Sequence, residues 1–73
     1  MDLRQVFSTN LRKARHAKGL SQEALAYEAD VDRRYLSKIE TCTTSVGLDI
    51  IARLAAVLEI EAHELLMPPR RRR

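Results

Sequence analysis

The sequence predicts an all-α fold, a compact five-helix domain over residues 1–67 followed by a disordered Pro/Arg tail over 68–73. Three observations carry this prediction. Apolar residues recur at spacings of three and four along the chain, the period of helices that bury one face. Residues that cap or stop helices (Asp2, Gly19, Ser21, Asp32) fall at the joints between these stretches. Finally, the segment SQEALAYEADVDRRYLSKIE, from Ser21 to Glu40, holds two short helices with a break at Asp30-Val31. A connection that short forces the two helices to cross steeply, as in a helix-turn-helix.

The first helix runs from about Leu3 to Lys18. Asp2 caps it, with Gln5 in the capping-box position. Leu3, Val6, Phe7, Leu11 and Ala14 follow the helical period and face the core. Gly19 stops the helix, and Lys18 sits against the negative end of its dipole. Arg4, Arg12, Lys13 and His16 form the polar face. Arg4 and His16 read as solvated. Arg12 and Lys13 lie nearer the end that abuts the steep crossing, where phosphate contact and simple solvation are both open. Arg15 falls among the inward positions instead. A partly buried charge is rarely left alone, and Glu40, last in the third helix, is its obvious partner.

Ser21 caps the second helix, and Leu25, Ala26 and Ala29 supply its inner stripe. Ala26 is small enough to stand at the crossing, and Val31 plugs the angle between the helices. Asp32 caps the third helix, whose inner stripe is Leu36 and Ile39. Its outer surface is Arg33, Arg34, Ser37 and Lys38, with no acid before Glu40. A short helix that is basic outside and apolar inside suits insertion into a DNA groove. Tyr27 and Tyr35 pack by their ring edges with their hydroxyls at the surface, and Tyr35 lies near enough to the groove face to reach a phosphate.

A polar loop, TCTTSV, covers Thr41 to Val46. Its hydroxyls, Thr43 and Thr44 among them, can donate to phosphate oxygens, but it has no Lys or Arg. The fourth helix spans Leu48 to Leu58, with Leu48, Ile51, Leu54, Ala55 and Leu58 facing the core. Ile50 and Val57 widen its apolar arc beyond the ~100° that one-sided packing needs. A fifth helical segment, about Ala62 to Met67, adds Leu65, Leu66 and Met67. Either that segment folds back over Ile50 and Val57, or the surplus surface forms a homodimer seam through Ile50, Val57, Leu66 and Met67. The dimer is the preferred reading, because a single small module binds DNA too weakly to find a site.

Three segments together, GLSQEALA (Gly19 to Ala26), VDRRYLSKIE (Val31 to Glu40) and GLDIIARLAAVLEI (Gly47 to Ile60), resemble the Xre/Cro family of helix-turn-helix transcriptional regulators. The resemblance covers nearly everything from Leu3 to Leu66, and RRYLSKIE looks most like small stand-alone members, including controller proteins of restriction–modification systems. It implies a recognition helix entering the major groove of double-stranded DNA with Arg33, Arg34, Ser37 and Lys38 at the bases. It also implies Gln22 on a phosphate, the Thr41–Val46 loop on the DNA backbone, and an Arg15–Glu40 ion pair. Three positions depart from the family pattern. Asp30, Cys42 and Glu59 stand where the family favours Gly, which at Glu59 implies a less abrupt turn after the fourth helix.

The net charge of +3 is unevenly distributed. Residues 1–39 carry 8 basic and 5 acidic side chains, residues 40–69 carry 1 and 5, and Arg70–Arg73 are all basic. One face for phosphates and another for a different partner would produce that asymmetry. The Arg run is either an arm for phosphates or a solubilising tail. His16 and His63 are isolated, no nucleophile motif or Gly-rich phosphate loop is present, and one cysteine makes no internal disulfide. No enzyme activity, cofactor or metal is expected; Cys42 reads as a small residue, with a redox switch as the alternative. No apolar run reaches the length of a membrane span and no secretory segment opens the chain, so a cytoplasmic protein is expected. Two functions fit: a homodimeric regulator or repressor, or an antitoxin-type protein that binds a partner through its acidic C-terminal half and represses its own operon. The neighbouring gene would separate the two.

Overall fold

In a computed structural model of the chain, residues 2–68 are described, and every element among them is helical. Four α-helices, α1 (Leu3–Ala17), α2 (Gln22–Ala29), α3 (Arg33–Glu40) and α4 (Leu48–Leu58), precede a 3-10 turn, η1 (Ala62–Leu66). The expected fifth helix is therefore a single tight turn. Its five residues are boxed between the cap Glu61 and an extended Met67 (φ −89°, ψ 128°), the conformation that Pro68 demands of its predecessor. The expected disordered tail falls, apart from Pro68, outside the described residues.

One core unites the elements. Phe7 and Leu11 of α1, Leu25 of α2, Leu36 of α3, Leu54 of α4 and Leu65 of η1 are its largest fully buried side chains. Three expected core or packed residues lie elsewhere. Leu3 and Leu48 are the first residues of their helices and protrude, 55% and 81% exposed. With Phe7, Val46, Ile51 and Leu66 they line an open apolar groove of about 210 Å³. Tyr27 is 87% exposed, its ring unpacked. At roughly 100° per residue it sits nearly opposite the Leu25–Ala26–Ala29 stripe that α2 buries.

All four α-helices end in the same way. A residue in the left-handed region, Gly19 (φ 70°), Asp30 (57°), Cys42 (62°) or Glu59 (60°), reverses the chain. The next residue's N–H then reaches back five positions: Leu20 to the Arg15 carbonyl (3.1 Å), Val31 to Ala26 (2.9 Å), Thr43 to Lys38 (2.9 Å) and Ile60 to Ala55 (3.1 Å). Leu20, Val31 and Ile60 also pack against the core, the apolar contact that accompanies this C-terminal motif. The turn after α4 is thus as sharp at Glu59 as a glycine would make it, contrary to the gentler turn expected. The N-termini differ from expectation at two places. Asp32 makes no side-chain capping bond, and the reciprocal capping box is found between Glu61 and Glu64.

Candidate nucleic-acid interface

The helices α2 and α3 pack against each other. Ser21 Oγ accepts from the Ala24 N–H at 3.0 Å and starts α2. Ala26 and Ala29, both buried, let the two helices approach, while Leu36 and Ile39 seat α3 on the core. Arg33, Arg34 and Lys38 are then exposed and Ser37 is half-buried. The first turn of α3 contains no acid.

Behind this surface lies a buried polar network. Arg15 Nε donates to Glu40 Oε2 at 2.7 Å and Nη2 donates to Oε1 at 2.9 Å, a two-pronged contact. Arg15 Nη1 donates to the Leu20 carbonyl at 2.9 Å, and Gln22 Nε2 donates to Glu40 Oε1 at 3.0 Å. The ends of α1, α2 and α3 are joined at one carboxylate that is 3% exposed. Among the described residues, no buried side-chain N or O lacks a partner.

The family description "Helix-turn-helix" (HTH_3) matches residues 11–65, most of the chain. This protein belongs to that family. It is 42% identical over 71 residues to a hypothetical transcription factor of Neisseria meningitidis serogroup B, covering 97% of this chain and 67% of the relative. It is 38% identical over 66 residues to the control protein C.BamHI of Bacillus amyloliquefaciens, covering 89% of this chain and 82% of that one. Among solved structures it superposes on the restriction–modification controller protein C.AhdI of Aeromonas hydrophila with a TM-score of 0.82 and 44% identity, over 85% of this chain and 94% of that chain. The chain is a helix-turn-helix DNA-binding transcriptional regulator.

The remaining sequence-derived positions fall in several places around the motif. Gln22 is half-buried and holds Glu40 with one amide N–H, which leaves the second N–H for another acceptor. Arg12 and Lys13 are exposed. Arg12 lines a polar crevice with Glu40, Thr41 and Cys42, beside the end of α3, and its Nε donates to the Ser8 carbonyl at 3.3 Å. Tyr35 is half-buried and donates its single hydroxyl hydrogen to the Ser45 carbonyl at 3.2 Å. Thr43 Oγ1 donates to the Lys38 carbonyl (3.2 Å) and Thr44 Oγ1 to the Ser45 carbonyl (3.4 Å). All three hydroxyls fasten the α3–α4 loop to itself and to α3, so each must release a carbonyl before it can donate to a phosphate.

The four residues expected at a dimer seam differ in exposure. Ile50, Val57 and Leu66 are half-buried and packed against the core, Leu66 also lines the apolar groove with Leu3 and Leu48, and Met67 is 43% exposed. Positions 48 and 50 point about 200° apart on a helix, so one flank of α4 cannot carry both Leu48 and Ile50. Four of the five acids of the C-terminal half, all but Asp49, also have partners within the fold. Glu40 pairs with Arg15, Glu59 with Lys18, and Glu61 and Glu64 cap η1. Lys18 beside it holds the Glu59 carboxyl below its usual range, chiefly through their hydrogen bond and then through charge attraction. Two connections escaped sequence reasoning. Arg53 Nη1 donates to the Asp30 carbonyl at the turn of the motif (3.1 Å), and Asn10 reaches η1. Neither residue belongs to an apolar pattern or a motif, so no local signal marked them. No group of three or more His, Cys, Asp or Glu among the described residues can hold a metal ion, and none of the described helices is long and apolar enough to cross a membrane.

Proposed function

We propose that this protein is a sequence-specific, cytoplasmic transcriptional regulator that binds a pseudo-palindromic operator as a homodimer, with α3 of each protomer in the major groove. The observation carrying this reading is the pair of arginines that opens α3. A helix N-terminus favours acids, so two cations on the first turn of an eight-residue helix weaken it unless an anionic surface faces them. The guanidinium fork matches guanine O6 and N7 together, and such a contact discriminates by about 1–3 kcal/mol. One of Arg33 and Arg34 reads a guanine and the other takes a phosphate, with Ser37 and Lys38 further along the groove. Gln22, Arg12, Lys13, Tyr35, Thr43 and Thr44 hold the DNA backbone, which makes residues 1–67 the DNA-binding domain. The seam between the two copies runs through the half-buried Ile50, Val57 and Leu66 and the exposed Met67, the surplus apolar surface of α4 and η1. The two recognition helices then sit about 34 Å apart. Similarity to C.BamHI and C.AhdI supports control of a restriction–modification system as the biological setting.

Selection of bound sequences from a random DNA pool tests this reading. An inverted repeat with guanines in each half-site is expected, and Arg33→Ala or Arg34→Ala should relax preference at one base pair as well as weaken binding. If both variants keep the parent's base preference and only lower the salt dependence, the arginines are phosphate clamps and the base-reading assignment fails. A mass measurement showing only monomer at tens of micromolar, free and on DNA, removes the dimer.

A further inference from the structure

Asn10 lies in the middle of α1, half-buried, and belongs to neither the apolar stripe nor the network around Glu40. Its side-chain amide meets three backbone carbonyls of the C-terminal turn: Met67 at 2.8 Å, Leu65 at 3.0 Å and Glu64 at 3.4 Å. All three are acceptors, so the nitrogen of the amide must face them; the oxygen would meet only repulsion. These are the carbonyls that a helical turn leaves without partners at its C-terminal end. The four α-helices satisfy theirs with a left-handed residue and a bond back along the chain, but η1 ends in an extended Met67 followed by Pro68 and has no such motif. Asn10 replaces it from across the fold. Leu65 anchors the turn in the core at 1% exposure, yet Leu66 and Met67 beyond it present surface, and the carbonyl held at the shortest distance is that of Met67.

We infer that Asn10 is the positioning residue of the protein's self-association surface: its amide clamps the Leu65 and Met67 carbonyls and so fixes Leu66 and Met67 for the second copy. This rests on the homodimer reading above. Asn10 itself makes no contact across the interface; it sets the pose of the backbone that does.

The test compares the parent with Asn10→Ala and Asn10→Asp by sedimentation over a concentration series, alongside binding of each to a single half-site duplex. Asn10→Asp keeps the shape of the side chain but removes both donors and points a carboxylate at three carbonyls. Dimer dissociation should strengthen at least roughly tenfold in both variants, the effect of removing about two hydrogen bonds from each protomer. Helix content and half-site affinity should stay at the parent's values, and hydrogen exchange should quicken over residues 62–68 alone. As pH is lowered through the carboxylate range, dimerisation of Asn10→Asp relative to the parent should recover, because the protonated acid regains an O–H donor. A dimeric parent whose variants dimerise equally well overturns the role of Asn10 and leaves the dimer standing. A parent that stays monomeric overturns both. Loss of helix content in Asn10→Ala and in the milder Asn10→Ser alike would make Asn10 a residue of the fold as a whole, and would overturn the inference as well.

Discussion

Two ion pairs leave the C-terminal end of α1, from residues only three apart, and each ends on the last turn of another helix. Arg15 reaches Glu40 at the end of α3, and Lys18 reaches Glu59 at the end of α4. The charges are the same, but the surroundings are not. The Arg15 and Glu40 side chains are 11% and 2% exposed, while those of Lys18 and Glu59 are 37% and 75% exposed. In the buried pair both carboxylate oxygens are occupied, Oε1 by Arg15 and Gln22 and Oε2 by Arg15, and a further arginine N–H holds the Leu20 carbonyl. In the outer pair a flexible ammonium meets a single oxygen in water. Burial makes the first contact costly to break, because its survivor has no solvent to turn to. The outer pair is screened, and the turn it decorates is already closed by backbone bonds from Glu59 and Ile60. The buried pair ties the last turn of α3 to α1, so this polar contact fixes the helix whose exposed face carries Arg33, Arg34 and Lys38.

The largest effect that could break this contrast is on Glu40. Glu40→Gln should destabilise the fold by about 3 kcal/mol or more, since Arg15 is left buried and unpaired. For so small a domain that is a large share of a total of roughly 5 kcal/mol. Denaturant unfolding measures it, and a midpoint close to the parent's would show that water screens the pair after all. Gln22→Ala should cost about 1 kcal/mol by removing one donor from Glu40, and should weaken binding to every DNA sequence alike. A change in base preference would instead make Gln22 a reader. Cys42→Gly has the opposite sign. A left-handed conformation strains any residue with a Cβ, so removing it should stabilise the protein by about 0.5–1 kcal/mol, visible as a higher melting temperature. An unchanged or lower value would show that the Cys42 side chain contributes packing that offsets its backbone strain.

The smallest effect belongs to the outer pair and depends on pH. The Glu59 carboxyl is lowered from its ordinary value of 4.5 by Lys18. A carboxyl with a depressed folded value adds stability above its unfolded value and loses it as pH falls through the folded one. Glu59→Gln should therefore melt slightly below the parent at neutral pH and low salt. The gap should close below pH 4.5 and in high salt. A gap that persists in acid would mean that Glu59 acts through something other than its charge.

Most of the architecture is legible in the chain because it follows from local rules. Ser21, Gly19 and the stripes Leu25–Ala26–Ala29 and Leu36–Ile39 place α2 and α3, and the helix of Leu48–Leu58 has the bounds that its periodicity gives. The exposed basic face of α3 follows from the same period. Legibility fails where one helical position can face either way. Leu3 and Leu48 fit the inward stripe by period but lie at helix starts, where the core does not extend to cover them. Of the three departures from glycine, Glu59 pointed to a gentler turn. All three keep the left-handed turn, because the returning N–H and the packing of Val31 and Ile60 outweigh the strain at Asp30, Cys42 and Glu59.

By itself the sequence determined which segments coil, where they stop and which surface of α3 is basic, since each depends on residues within a turn or two of one another. Only the tertiary structure decided which donors meet which acceptors. It turned the hydroxyls of Tyr35, Thr43 and Thr44 onto carbonyls, used four of the five acids of the C-terminal half within the fold, and set the Asn10 amide against carbonyls more than fifty positions away. An amide or a hydroxyl carries no periodic signature. Its partner is whichever unsatisfied group the packed helices bring within about 3 Å, and that distance exists only once the core has closed.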